Sequence, residues 1–147
     1  MAETWVEILA VPITAALGTD HTWSGLTATL TAGANLTIGQ CCYVGADGKM
    51  ELADADAAAT MPIVAMATGS ISENATGIFL LHGFFRDDSA WEWATLGGLL
   101  YGDTTTAGAM NQTAPSGAAD IVQVVGVAMS ADIVYFCPDK TTVEIAA

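Results

Sequence analysis

Side chains that could accept, donate or attack near neutral pH are few in this chain. Two histidines, His21 beside Asp20 and His82 inside the apolar run 78–85, are the residues whose ordinary pKa lies nearest neutrality. The sequence reads His21 as a loop residue and His82 as a hydrogen-bonded strand histidine or an interface residue. Of three cysteines, Cys41 and Cys42 are adjacent and Cys137 is far downstream. A nucleophilic thiolate needs a neighbouring cation, yet these thiols fall in apolar runs of a chain with 3 Lys plus Arg, so they read as small buried hydrophobes. The odd count and the lack of a Cys-x-x-Cys spacing fit neither a disulfide framework nor a zinc site.

Acid pairs are the next candidates. Asp54 with Asp56, or Asp87 with Asp88, could offer oxygen ligands to calcium, but neither has the alternating loop spacing that wraps one ion, so both read as solvated carboxylates. The sequence has no Gly-x-Ser-x-Gly elbow, His-Glu-x-x-His, phosphate-binding glycine loop or dinucleotide fingerprint. The expectation is a non-enzyme with no catalytic, cofactor-binding or metal-binding residues.

Aromatic rings point elsewhere. Phe84 and Phe85 are adjacent, and Trp91 and Trp93 bracket Glu92, so neighbouring rings in an extended chain face opposite ways and some must lie near the surface. Large exposed rings anchor interfaces, and Phe84, Phe85, Trp91 and Trp93 are the subunit-interface candidates.

Charge narrows the partners. The chain is 52% apolar, with 16 Asp plus Glu against Lys49, Arg86 and Lys140, a formal net charge of -13. Such a surface repels phosphate backbones and anionic headgroups and has almost no cations with which to release counterions, so neither nucleic acid nor membrane is expected as a partner. The start of the chain carries Glu3 and Glu7 and no basic segment, and no run reaches the roughly 18 apolar residues of a membrane span, which leads to an expectation of synthesis in a cytoplasm.

The elements that would position these residues are strands. Short apolar runs punctuated by Gly, Asp, Asn and Thr replace any sustained helical period. Strands are predicted at 26–30, 40–44, 50–53, 63–68, 78–85, 99–101, 109–112, 121–129 and 133–137, with Asp47-Gly48 in a hairpin and turns at 74–77 and 115–117. The Ala- and Asp-rich tract 53–60 reads as a loop, and 87–94 as one helical turn capped by Asp88 or Ser89. Residues 1–25 form an N-terminal arm and linker, and 26–147 a single compact β-barrel or β-sandwich. The halves echo one another: Gly39-Gln40-Cys41-Cys42-Tyr43 matches Gly97-Gly98-Leu99-Leu100-Tyr101 at an offset of 58 residues (101 minus 43). Gly48-Lys49-Met50 then matches Gly108-Ala109-Met110 at 60 (110 minus 50), and Val64-Ala65-Met66-Ala67 parallels Val125-Gly126-Val127-Ala128 at 61 (128 minus 67), the pattern of two duplicated β units.

From Leu36 to Pro138 the chain resembles small structural proteins of tailed-bacteriophage virions, in particular head decoration (capsid cement) and head fibre proteins. The likeness rests on Ala32-Gly33-Ala34-Asn35-Leu36-Thr37-Ile38-Gly39 leading to Tyr43-Val44 and Asp47-Gly48-Lys49. It continues in Gly98-Leu99-Leu100-Tyr101, Gly108, Thr113-Ala114-Pro115-Ser116-Gly117, Val122-Gln123-Val124-Val125-Gly126-Val127-Ala128 and 133–138. The first 25 residues do not align to that pattern.

The resemblance implies a homotrimer on the outer face of the virion capsid, bound to the major capsid protein, stabilising the mature head without catalysis. The arm residues Trp5, Val6, Ile8, Leu9 and Ile13 are the capsid-contact candidates, since an extended apolar segment can lengthen a neighbouring sheet. The rival expectation is a head or tail fibre adhesion module contacting host glycans through Trp23, Trp91 or Trp93, although no heptad pattern for a shaft is present.

Overall fold

The computed structural model describes residues 12–147. Eleven strands follow in order: β1 (Trp23–Thr31), β2 (Cys41–Val44), β3 (Met50–Leu52), β4 (Ala65–Ala67), β5 (Thr76–Arg86), β6 (Leu99–Gly102), β7 (Met110–Asn111), β8 (Ile121–Val122), β9 (Val124–Ala128), β10 (Ile133–Phe136) and β11 (Val143–Glu144). A single 3-10 turn, Ala58–Thr60, interrupts them, so the tract around it is a loop as the sequence implies. The fold is all-β: nine strands make one curled antiparallel sheet, and β8 and β11 pair separately.

The sheet branches at β5. Strand β1 pairs with β5 along its whole length, from Trp23 opposite Phe85 to Thr31 opposite Thr76. That occupies one edge of β5, so its other partners share the remaining edge. There β10 pairs with Gly83 to Arg86, and β4 pairs with Phe79 and Leu80. Between them the register of β1 on β5 skips Leu81, a bulge that sets Leu81 and His82 on the same side.

The two branches repeat one topology. Strand order β3-β2-β4-β5 recurs as β7-β6-β9-β10, each a hairpin whose first strand then pairs with the first strand of a second hairpin. These strand pairs coincide with the matched segments in the sequence, which supports the reading of two duplicated β units.

Both faces of the first branch are packed. Alternation along a strand sends Cys41, Met66 and Leu80 into a large core shared with Phe85, Leu100, Val125, Val134 and Phe136. Their neighbours Cys42, Ala65, Ala67 and Phe79 enter a second cluster, closed by Ala32, Leu36 and Ile71. Leu36 and Ile71 come from the connections flanking β2 and β4; the second branch joins β9 to β10 through only 129–132, and among the described residues it has no comparable cover.

Several boundaries differ from the sequence reading. Strand β1 begins at Trp23, and the segment ahead of it is tied to the sheet: His21 N donates to Arg86 O at 3.1 Å and the Arg86 guanidinium donates to Leu17 O at 2.8 Å. The β unit therefore extends into the predicted linker. Residues 87–94 form turns rather than a helical turn, and Asp87 caps them, its Oδ1 accepting from Ser89 N at 3.1 Å and Ala90 N at 2.9 Å. The predicted strand 121–129 divides at Gln123, whose side chain turns inward. Strand β11 lies in the polar tail, where the short run Val143–Glu144 gives no alternation to read.

Candidate interaction surface

Strands β1 and β5 form a ribbon whose composition departs from the rest of the chain. Residues 23–31 and 76–85 contain no Asp, Glu, Lys or Arg, in a protein with 16 acids. The ribbon also exposes apolar side chains: Leu26 at 60%, Ile78 at 48% and Trp23 at 36%. Gly25 and Gly83 oppose one another where the strands approach most closely. A Cβ on Gly25 would meet the His82 carbonyl oxygen and lie 2.7 Å from Gly83 Cα, so only glycine fits at either position.

A row of apolar side chains crosses the second branch on the face that lacks a cover. Pairing sets Leu99 opposite Val127, Val127 opposite Tyr135, and Tyr135 opposite Phe84, all on one side of the sheet. Phe84, Tyr135 and Val127 are half-buried and Leu99 is 45% exposed. The Phe84 and Tyr135 rings stack at 5.1 Å, and the Tyr135 hydroxyl meets His82 Nε2 at 2.9 Å, so His82 is a hydrogen-bonded strand residue. Hydrogen bonding to Cys137 and desolvation push the Tyr135 phenol above its ordinary range. Beside it, where β4 and β10 diverge, Leu26, Pro62, Val64, Leu81, His82 and Pro138 line an open groove of about 430 Å³.

The predicted site residues scatter over this architecture. Phe84 lies in the exposed row. Phe85 does not: it is fully buried in the main core against Trp23 and Trp91, so its ring has no surface left for another subunit. Adjacent strand positions face opposite ways, and the pair divides accordingly. Trp91 and Trp93 are half-buried lids on the core, 6.0 Å apart, and they line a second cleft of about 350 Å³ with Ile38, Gln40, Glu92 and Met110. Trp93 Nε1 is buried without a hydrogen-bond partner among the described residues. Ile13 is 52% exposed, while Trp5, Val6, Ile8 and Leu9 lie outside the described residues.

Chemistry-bearing side chains converge at one place. Asp20, His21 and Asp87 bring one ligand atom each within 4.8 Å of one another, and His21 Nε2 lies 3.3 Å from Asp87 Oδ1. Contrary to the solvated reading, Asp87 is buried, and its oxygen is committed to the 87–90 cap; Asp20 Oδ1 accepts from His21 N and Asp88 N at 2.9 and 2.8 Å. These carboxylates fasten the 12–21 segment to the end of β5. Next to them Arg86 forms a two-pronged pair with Asp88 at 2.7 and 3.1 Å and reaches Asp132 at 3.4 Å. The guanidinium holds the Asp88 carboxyl below the usual carboxylate range.

The cysteines are equally committed to structure. Burial first, then the neighbouring Cys42, pushes the Cys41 thiol far up, and burial with the nearby Glu51 carboxylate pushes Cys42 up to about 12. Neither forms a thiolate near neutrality, which removes them as nucleophiles.

No family model, curated protein or solved structure matches this chain. Among the described residues no helix is long and apolar enough to cross a membrane. The molecule's most distinctive surface is thus an uncharged, partly apolar ribbon and row on an otherwise acidic body. Such a surface suits contact with protein, because burying it removes apolar area from water without desolvating a charge. Sequence reasoning located Phe84 but missed Leu26, Ile78 and Leu99; the lack of any charge over 23–31 and 76–85 was the available signal for the first two, and Leu99 had none.

Proposed function

We propose that this chain is a structural virion protein of a tailed bacteriophage, binding the outer capsid surface as a homotrimer and stabilising the mature head. The observation that carries the reading is the partly apolar ribbon of residues 23–31 and 76–85, free of charged side chains, on a body of net charge -13. Contact through such a surface is selective in a simple way. Random encounters between copies are opposed by their carboxylates, whereas a partner that covers the ribbon gains apolar burial.

The mechanism is linkage. A protein that binds only the assembled lattice raises the free-energy cost of disassembly by RT ln(1 + [L]/Kd), about 2.7 kcal/mol per site at a hundredfold excess over Kd. The segment ahead of β1 starts from a fixed base, because Thr14 N donates to the Ser24 hydroxyl at 2.9 Å and Leu17 is held by Arg86. In this reading exposed Ile13, with Trp5, Val6, Ile8 and Leu9 ahead of it in the sequence, supplies the contact to the capsid protein.

Electron imaging of capsids with and without added protein tests the proposal. Added density at three-fold positions is the expected result, lost on deleting residues 1–11 while the variant keeps its wild-type far-UV spectrum. Unchanged capsids at saturating protein reject it.

The rival reading, adhesion to host glycans, draws support from the cleft beside Trp91 and Trp93. Indole faces stack on pyranose rings, and both tryptophans line this cleft. A glycan array discriminates: a hit with the wild type, lost in Trp93→Phe, moves the assignment to adhesion.

A further inference from the structure

We propose that the free edge of β1 is a self-pairing site, at which two copies of this chain join β1 to β1 antiparallel about a two-fold axis at Thr27, continuing one sheet across both.

Strand β1 is nine residues long, roughly 30 Å at the rise of an antiparallel strand, and β5 occupies only one of its edges. Among the described residues no strand pairs with the other edge. Exposed edges of this length are ordinarily guarded by charge, proline or a bulge. Trp23-Ser24-Gly25-Leu26-Thr27-Ala28-Thr29-Leu30-Thr31 has no charge and no proline, and the bulge of this ribbon lies in β5.

The backbone sets the pairing. Ala32 N donates to Ala75 O at 2.9 Å, so the even-numbered residues of β1 turn their amides toward β5. Alternation then directs the N–H and C=O groups of Trp23, Gly25, Thr27, Thr29 and Thr31 outward. A two-fold at Thr27 matches outward groups with outward groups throughout: Thr27 with itself, Gly25 with Thr29, Trp23 with Thr31. On the alternate positions Leu26 meets Ala28 of the second copy and lies diagonal to its Leu26, which covers the most exposed leucine of the strand.

A second copy is the occupant because, among the described residues, no other edge fits. Among the described residues the other strands with an edge that no strand pairs are β3, β7, β8 and β11, of three, two, two and two residues, and β3 and β11 carry Glu51 and Glu144. Among the described residues only another β1 offers a charge-free partner of equal length. The acids nearest in sequence, Asp20, Glu73 and Asp87, sit beyond the ends of the ribbon. Repulsion between the two acidic bodies therefore acts at a distance and weakens as salt shortens the screening length from about 8 Å at 0.15 M to about 3 Å at 1 M.

This inference stands apart from the viral location, and its test separates the two. The mass of the purified full chain is measured by light scattering and sedimentation in 0.15 M and 1 M NaCl, alongside Leu26→Lys and Thr29→Lys, both exposed positions. The wild type is expected at about 30 kDa (two copies of 15.0 kDa), or about 90 kDa (six copies) where pairing joins trimers, with more of the paired form at high salt. Each lysine variant should halve that mass with an unchanged far-UV spectrum. In the wild type the Thr27 and Thr29 amides should exchange more slowly as protein concentration rises, a readout that needs no variant. A wild type that stays at 15.0 or about 45 kDa (three copies) at both salts overturns β1 pairing, and the 45 kDa result leaves the proposed capsid role standing. An even-numbered assembly that survives both lysines overturns it too, and assigns the contact to another surface.

Discussion

Gln123 grips the backbone of Ile63 from both sides: Ile63 N donates to Gln123 Oε1 at 2.8 Å, and Gln123 Nε2 donates to Ile63 O at 2.9 Å. A second donation from Nε2 to Asp139 O, at 2.6 Å, reaches the chain leaving β10. At the branch of the sheet, where β4 and β10 separate along β5, a side-chain amide supplies the pairing that a strand would otherwise give. Gln123 is 1% exposed and its two bonds to Ile63 are buried, so these two have no competition from water.

Gln123→Leu should therefore be severely destabilising for a near-isosteric change. It leaves Ile63 N, Ile63 O and Asp139 O without partners, and one buried unsatisfied group costs about 1 to 3 kcal/mol. A loss of about 3 kcal/mol or more in urea denaturation is the expected outcome. A loss below about 1 kcal/mol would mean that these groups rehydrate and that the amide is not holding the branch.

Phe84 and Phe85 should separate by their cost of truncation. Phe85→Ala empties a site in the main core and should cost about 3 to 5 kcal/mol, the range for buried phenylalanine. Phe84→Ala removes a half-exposed ring stacked on Tyr135 and should cost about 1 kcal/mol. Comparable losses in chemical denaturation would contradict the assignment of the two rings to opposite faces.

Thiol chemistry gives a prediction in pH. With Cys42 raised from 9.0 to about 12, the folded state holds its proton through a window where the unfolded thiol gives it up. The native chain then binds more protons than the unfolded one, so stability falls as pH rises from about 9 toward 12. Below pH 9 the contribution is complete. Cys42→Ala should reduce this slope in pH-dependent denaturation, the buried Cys41 thiol, raised further, supplying the remainder. In the native protein a thiol reagent at pH 8 should label the half-exposed Cys137 well before Cys41 or Cys42.

Arg86 should act on the entry segment more than on the sheet. Its guanidinium holds Leu17 O, and its partners Asp88 and Asp132 are carboxylates at the surface. Arg86→Ala should accelerate amide exchange at Leu17 to His21 while leaving β2 to β4 unchanged. Because the Asp88 carboxyl is depressed, its contribution is present above the ordinary carboxylate range and is lost as pH falls through the depressed value. Acid should thus loosen the same segment in the wild type. Uniform protection in the variant would assign the anchoring to Asp20 instead.

Much of the architecture was readable from alternation and punctuation. Asp47-Gly48, the run 78–85 and the matched glycine patterns give the hairpins, the central strand and the repeat, because these features are local. What was not legible depends on pairing between distant segments. The exposure of Phe84 and burial of Phe85 follow from which face of the second branch lost its cover. The burial of Asp87 follows from the return of 12–21 to the end of β5. Gln123 reads as one more polar residue in a valine-rich strand until Ile63, 60 residues away, is brought against it.

The branching of β5 also sets an order of events during synthesis. By the time Arg86 has left the ribosome, every strand of the first repeat is present, and the edge of β5 at Gly83 to Arg86 stands open until 133–136 arrive. Nascent chains crowded on one message would each present that vacant seat, and the β10 of a neighbour fits it as well as their own. Exchange of second halves between adjacent polypeptides is the misassembly this topology invites.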